Sequence, residues 1–215
     1  MGVSFVHVIL WGIYLTRNLI CLVSTMFRAQ TCLQRRWPTS TCGRVRPDDI
    51  VDLKKLAEGG FNRSFLITMR DGFQIVARIP YPATTPKYFA VASEVTTMAL
   101  LRSSGPPVPE VYGYSPVPDN AAETEYIFME FVQGTSLSDI WFDLGEGDII
   151  SITRQLAELE SKMMSIAFPA GGSLYFTKDL EKVAGRPGIP LEDKRFCVGP
   201  DTRLPCGMAG DHSLT

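Results

Sequence analysis

The sequence predicts an α+β fold, and three observations carry the prediction. Runs such as SFLITM, FQIVARI and YIFMEFV are short, apolar and rich in β-branched or aromatic residues, as strands are. Between them, PKYFAVASEVTTMALLRS repeats its apolar residues at helical spacing. After the last strong strand the pattern turns helical. Strands, one helix, more strands and then helices is the order of an α+β protein, not of an alternating α/β one. At 215 residues, 45% hydrophobic and 20% charged, the chain can bury a core and hold one large domain or two small ones.

Each element has its own signal. IVDLKKLAEGG admits a short helix or a lead-in strand, and SFLITMRD alternates apolar and polar residues as a strand. Asp71-Gly72 is a two-residue hairpin signal, so FQIVARIP is the partner strand, ended by Pro80. A loop with Pro82 and Pro86 leads into a helix over about 87–103, with Ala90, Val91, Val95, Met98, Ala99 and Leu101 on its apolar face. Ser104-Gly105-Pro106-Pro107 stops it. VPEVYGYSPV predicts a strand, and YIFMEFV, broken at Gln133-Gly134, is the most strand-like segment of all. SLSDIWFDL predicts a short helix with Ser136 as a possible N-cap and with Trp141 and Phe142 in core or hinge-side packing. A longer helix is expected over about 146–167, where Ile149, Ile152, Leu156, Leu159 and Met163 recur at helical spacing. GGSLYFTKDL predicts a turn plus a strand, and the Gly/Pro-rich tail from Gly185 is expected to be irregular.

The first 47 residues differ from the rest. They carry Arg17, Arg28, Arg35, Arg36, Arg44 and Arg46 and no acid or lysine. The remainder therefore holds 15 of the 21 basic residues against all 23 acidic ones, a balance of −8. That acidity argues against a general nucleic-acid binder. An arginine-bearing, acid-free, Ser/Thr-rich arm is the composition of a mitochondrial presequence. Two other readings stay open. Residues 3–26 are apolar apart from Arg17-Asn18 and could anchor in a membrane, at an insertion cost of roughly 2.5–3.5 kcal/mol if Arg17 is central. Alternatively, Met26 is the true start. The five cysteines, Cys21, Cys32, Cys42, Cys197 and Cys206, include no Cys-x-x-Cys pair, and with only His7 and His212 no zinc site is suggested. Free, reduced thiols are expected.

One constellation points to chemistry. Gly59-Gly60 forms a turn between two strands, where backbone N–H groups can approach phosphate oxygens. Arg78, in FQIVARI, alternates with Ile75 and Ala77 and shares the face of Val76. A cation among such neighbours needs a partner, because a lone buried charge is costly. Glu94, the lone acid in an apolar helical run, is the candidate. Competing with this reading are a plain tight turn at the glycines and, for Arg78, a structural ion pair or a solvated arginine at a sheet edge. Asn62-Arg63-Ser64 fits a glycosylation sequon, which the compartment disfavours. Asp139, Asp143, Glu146 and Asp148 are expected to form a solvated edge.

With these residues in place, GGFNRSFLITM, VARIPYP, SEVTTMALLR, PPVPEVYGY and EYIFMEFVQG together resemble the aminoglycoside phosphotransferase family, which is protein-kinase-like. The match is closest to its fungal branch, which includes the altered-inheritance-of-mitochondria group, and covers about 50–199. The resemblance implies an arm at 1–47, a kinase-like N-lobe at 48–132, a partial helical C-lobe at 133–199 and an irregular tail at 200–215. It further implies ATP binding: Gly59 and Gly60 over the nucleotide, Arg78 in place of the phosphate-binding lysine, and Glu94 orienting it. Met129, Glu130, Phe131 and Val132 would form the hinge, Glu130 and Val132 among them holding adenine through backbone groups. Arginine for lysine changes the geometry, since its guanidinium is longer and planar. A magnesium site and a catalytic aspartate would need residues that this chain lacks, so the family's transfer to a small-molecule hydroxyl, of unknown acceptor, is not expected of it. A truncated, inactive member is the expectation, with a non-catalytic mitochondrial binding or scaffold protein, or a membrane-anchored protein, as alternatives.

Overall fold

The computed structural model describes residues 50–81, 87–120, 122–185 and 187–202. The mixed α+β class holds. Strands β1 (Ile50–Glu58), β2 (Asn62–Met69) and β3 (Gln74–Pro80) are followed by helix α1 (Lys87–Ser103) and strands β4 (Val111–Ser115) and β5 (Tyr126–Glu130). They make one five-stranded sheet in the order β1-β2-β3-β5-β4, antiparallel at every pairing. IVDLKKLAE, the segment that admitted helix or strand, is a strand.

The β2–β3 hairpin closes where Asp71-Gly72 predicted. Gly72 sits at φ 84°, a conformation that a side chain would strain, and donates its N–H to the Met69 carbonyl at 2.9 Å. The register pairs Ile67 with Ile75 and Phe65 with Ala77. Alternation then sorts the side chains. Ile67, Met69, Ile75, Ala77 and Ile79 join Tyr126 and Phe128 in a core on one face. Val76, Ile127 and Met129 point the other way and meet Val91 and Val95 of α1.

Beyond the sheet come α2 (Leu137–Ile140), a 3-10 turn (Trp141–Asp143), α3 (Glu146–Met164), β6 (Ser173–Phe176), α4 (Thr177–Ala184), β7 (Ile189–Pro190) and β8 (Phe196–Gly199). The last three strands form a second antiparallel sheet, β6-β8-β7. It packs on the far side of α1. Ala92 joins Tyr175, Leu180 and Cys197, while Leu100 joins Leu191, Phe196 and Val198. Thr96, wholly buried in α1, donates to the Ala92 carbonyl at 2.7 Å and accepts the Phe176 N–H at 3.1 Å. Asp179 of α4 completes the attachment: its carbonyl accepts from the Tyr88 hydroxyl at 3.1 Å and its carboxylate from Tyr114 at 2.5 Å. Burial first, then that bond, pushes the Tyr114 phenol far above its ordinary range.

Several expectations are corrected. Among the described residues after Gly185 the chain is not wholly irregular: Phe196, Cys197 and Val198 are core strand residues. FTKDL ends a strand and begins α4, which Gly185 closes at φ 64° with its N–H on the Glu181 carbonyl. Ser136 makes no capping bond; its hydroxyl lies 2.7 Å from that of Ser138. Trp141 and Phe142 are not interior, and Phe142 is 95% exposed, because the short helix and turn that carry them bury no residue. The long helix ends at Met164, three residues before its expected end at 167, and it too buries none of its residues.

Candidate functional site

Arg78 lies on β3 between two strands, opposite Ser64 of β2 and Ile127 of β5. Two residues from Val76, it projects to the α1 side of the sheet, as alternation requires. Helix α1 holds Glu94 one turn from Val91 and next to Val95, so packing of those valines on the sheet delivers the carboxylate to the cation. The Arg78 Nη1 to Glu94 Oε1 distance is 3.1 Å. The pair is not sealed: the side chains keep 37% and 30% of their surface. Burial nonetheless dominates at Glu94. It raises the carboxyl pKa, and the opposing pull of Arg78 only partly offsets it.

A third residue completes the group. Asn62, the first residue of β2, stands opposite Pro80. With its amide oriented to satisfy both neighbours, its oxygen accepts from Arg78 Nη2 at 3.0 Å and its nitrogen donates to the Phe61 carbonyl at 3.3 Å. Arg78 Nε is buried with no hydrogen-bond partner among the described residues. The guanidinium is thus held at both terminal nitrogens, with one N–H of each engaged and others uncommitted. Sequence reasoning placed Asn62 only in a sequon. The available signal was its position two residues after the Gly-Gly pair, at the strand end that pairs with the end of β3.

The β1–β2 turn borders this group. Gly59 donates to the Asn62 carbonyl at 3.0 Å, and Tyr81 donates its N–H to the Phe61 carbonyl at 2.8 Å. A Cβ at Gly60 would meet nothing within 4 Å, and neither glycine is among those at positive φ. The turn itself therefore does not demand glycine at Gly60. Nearby, the Arg63 guanidinium lies over the Tyr81 ring, 4.8 Å from its centroid, and burial lowers its pKa. The Tyr81 hydroxyl donates to Glu58, whose carboxyl is held below its ordinary range by bonds from Lys55 and Tyr81.

Glu130 and Val132 lie elsewhere. Glu130 pairs with Ile75, three residues along β3 from Arg78. Its N–H is committed to the Glu110 carbonyl at 2.8 Å, and its carboxylate accepts the Glu110 N–H at 3.0 Å and lies 3.8 Å from Arg102. Val132 follows the end of β5 and is exposed. The structure therefore gathers Arg78, Glu94 and Asn62 beside Gly59 and Gly60, with the Glu130 carboxylate turned to a separate corner. Among the described residues no three His, Cys, Asp or Glu side chains come together as a metal-holding group, and no helix is long and apolar enough to cross a membrane. Residues 3–26, the possible anchor, and the rest of the arm lie outside the described residues.

No family model matches the chain. It is 43% identical over 157 residues to a subtelomeric hrmA-associated cluster protein of Aspergillus fumigatus, covering 73% of this chain and 30% of that one. It is 30% identical over 167 residues to altered inheritance of mitochondria protein 9, mitochondrial, of Lodderomyces elongisporus, covering 70% and 26%. The protein of the same name from Debaryomyces hansenii is 31% identical over 180 residues, covering 74% and 28%. The chain thus spans less than a third of the length of the curated relatives it matches. These findings overturn the placement in the aminoglycoside phosphotransferase, kinase-like family: no model of any family matches, and none of these relatives is named for such an activity. The physical reason is plain. A strand cation paired with a helix acid is also how a sheet packed on a helix neutralises a half-buried arginine, so the pair alone does not specify a family. The mitochondrial localisation expected from the arginine-bearing arm is borne out by the names of these relatives.

Proposed function

We propose that this chain is a non-catalytic mitochondrial binding protein, and that it holds a nucleoside triphosphate such as ATP by its phosphates at Arg78. The observation that carries the reading is the state of that arginine. It is ion-paired to Glu94 at 3.1 Å and yet 37% exposed, with N–H groups left over on its terminal nitrogens. A guanidinium held through one N–H of each terminal nitrogen still has a second N–H on each to offer a tetrahedral oxyanion, and a planar arginine fork suits phosphate. The turn supports this at Gly60, where with no side chain present a phosphate could come close to the backbone; the Gly59 N–H is taken by the Asn62 carbonyl. A structural ion pair alone would not call for the open turn. The adenine contacts expected of Glu130 and Val132 draw less support, since the Glu130 N–H is already engaged.

The experiment is a thermal-shift titration of the full chain with ATP. Ligand at about 100 times its dissociation constant should stabilise the fold by about 2.7 kcal/mol, a shift of several degrees. Arg78→Ala should abolish the shift. An unmoved midpoint at millimolar ATP, or an undiminished shift in Arg78→Ala, would sink the proposal.

A further inference from the structure

The nucleotide reading needs Arg78 to keep one orientation, and Glu94 alone does not supply it. A single carboxylate oxygen 3.1 Å from one Nη leaves the guanidinium free to swing about that contact. The second hold is on the opposite nitrogen: the Asn62 amide oxygen accepts from Nη2 at 3.0 Å. We propose that Asn62 is a positioning residue for this phosphate site, locking the Arg78 fork between β2 and α1 so that the second N–H of each terminal nitrogen is held in one orientation for an oxyanion. The inference rests on the nucleotide reading and adds the residue that makes the site specific for a planar fork.

Asn62 suits the role for reasons of place and chemistry. It starts β2 opposite Pro80, so its backbone is fixed by the sheet. Its own carbonyl accepts the Gly59 N–H at 3.0 Å, and its amide nitrogen donates to the Phe61 carbonyl at 3.3 Å. One residue therefore joins the glycine turn to the cation. An oxyanion that pulls on Arg78 pulls on Asn62, and through it on residues 59–61. The acceptor is neutral. Unlike a second carboxylate it fixes the guanidinium without cancelling the charge that attracts phosphate.

A double-mutant cycle on ATP affinity tests this with the full chain, using calorimetric titration. Asn62→Ala in the wild-type background should weaken binding about tenfold, the loss of one hydrogen bond to a charged group. In an Arg78→Lys background the same change should weaken it less than about threefold, because an ammonium has no fork to hold. Equal factors in the two backgrounds, or no loss in Asn62→Ala alone, would overturn the role of Asn62 while leaving ATP binding standing. Wild-type protein that binds no ATP overturns both, and is recognised by the first titration. Should Asn62→Ala not fold, Asn62→Ser enters the same cycle with the same deciding outcomes. A residue that merely supported the fold would weaken both backgrounds alike.

Discussion

Glu94 carries its charge where burial opposes it, and this makes the ion pair readable by pH. Its folded pKa lies above the ordinary carboxyl value, with burial as the main cause and Arg78 as the lesser, opposing one. The folded state therefore keeps the Glu94 proton to higher pH than the unfolded chain does. The contribution to stability is complete below the unfolded pKa and is lost as pH rises through the folded one. Urea midpoints taken across that acidic window should fall with rising pH, and Glu94→Gln should flatten this limb. An identical slope in both proteins would contradict it. Arg78→Ala leaves Glu94 without its cation and should cost about 1–3 kcal/mol, between the limits for exposed and for buried pairs, by urea unfolding at neutral pH. Arg78 and Glu94 were legible in the sequence because each is a lone charge in an apolar run. Asn62 was not, because its partner depends on where β2 and β3 come into register.

Helix α1 is the element on which the fold turns, since it is buried against both sheets. Its apolar face was legible from the spacing of Val91, Val95 and Met98, and its bounds matched the expected ones. That its other side is also buried was not legible. Thr96 and Ala92 carry no long apolar signal, yet they seat the second sheet. Thr96→Val keeps the shape but removes the acceptor for the Phe176 N–H, and should cost about 1–3 kcal/mol with the same secondary structure by circular dichroism. Just before β6, Gly172 sits at φ 142°, and a Cβ there would lie 2.4 Å from the Gly199 carbonyl oxygen. Gly172→Ala should therefore lower the urea midpoint by more than Thr96→Val does, because both strain and a backbone clash oppose it. Strands β7 and β8 escaped the sequence because they are two and four residues long, shorter than the period-two signal needs.

For the molecule as a whole, the exposed apolar side chains of α3 are the feature with the widest consequence. Ile150 and Leu156 are more than half exposed and Met164 is 78% exposed. Such side chains favour self-association. Ile150→Lys with Leu156→Lys should lower the apparent mass in sedimentation velocity while shifting folding free energy by no more than about 0.5 kcal/mol per site. A monomeric wild type would remove the basis for this expectation.

By itself the sequence determined the α+β class, the Asp71-Gly72 hairpin, the bounds of α1 and the need of Arg78 for an acid. Those depend on period, turn chemistry and charge within short windows. Only the tertiary structure decided that the chain after Gly185 returns to pair with β6 in a second sheet, that Phe142 is exposed and that Asn62 shares the hold on Arg78. Strand pairing, burial and side-chain partnership are set by residues far apart in the chain, and no local pattern records which of them will meet.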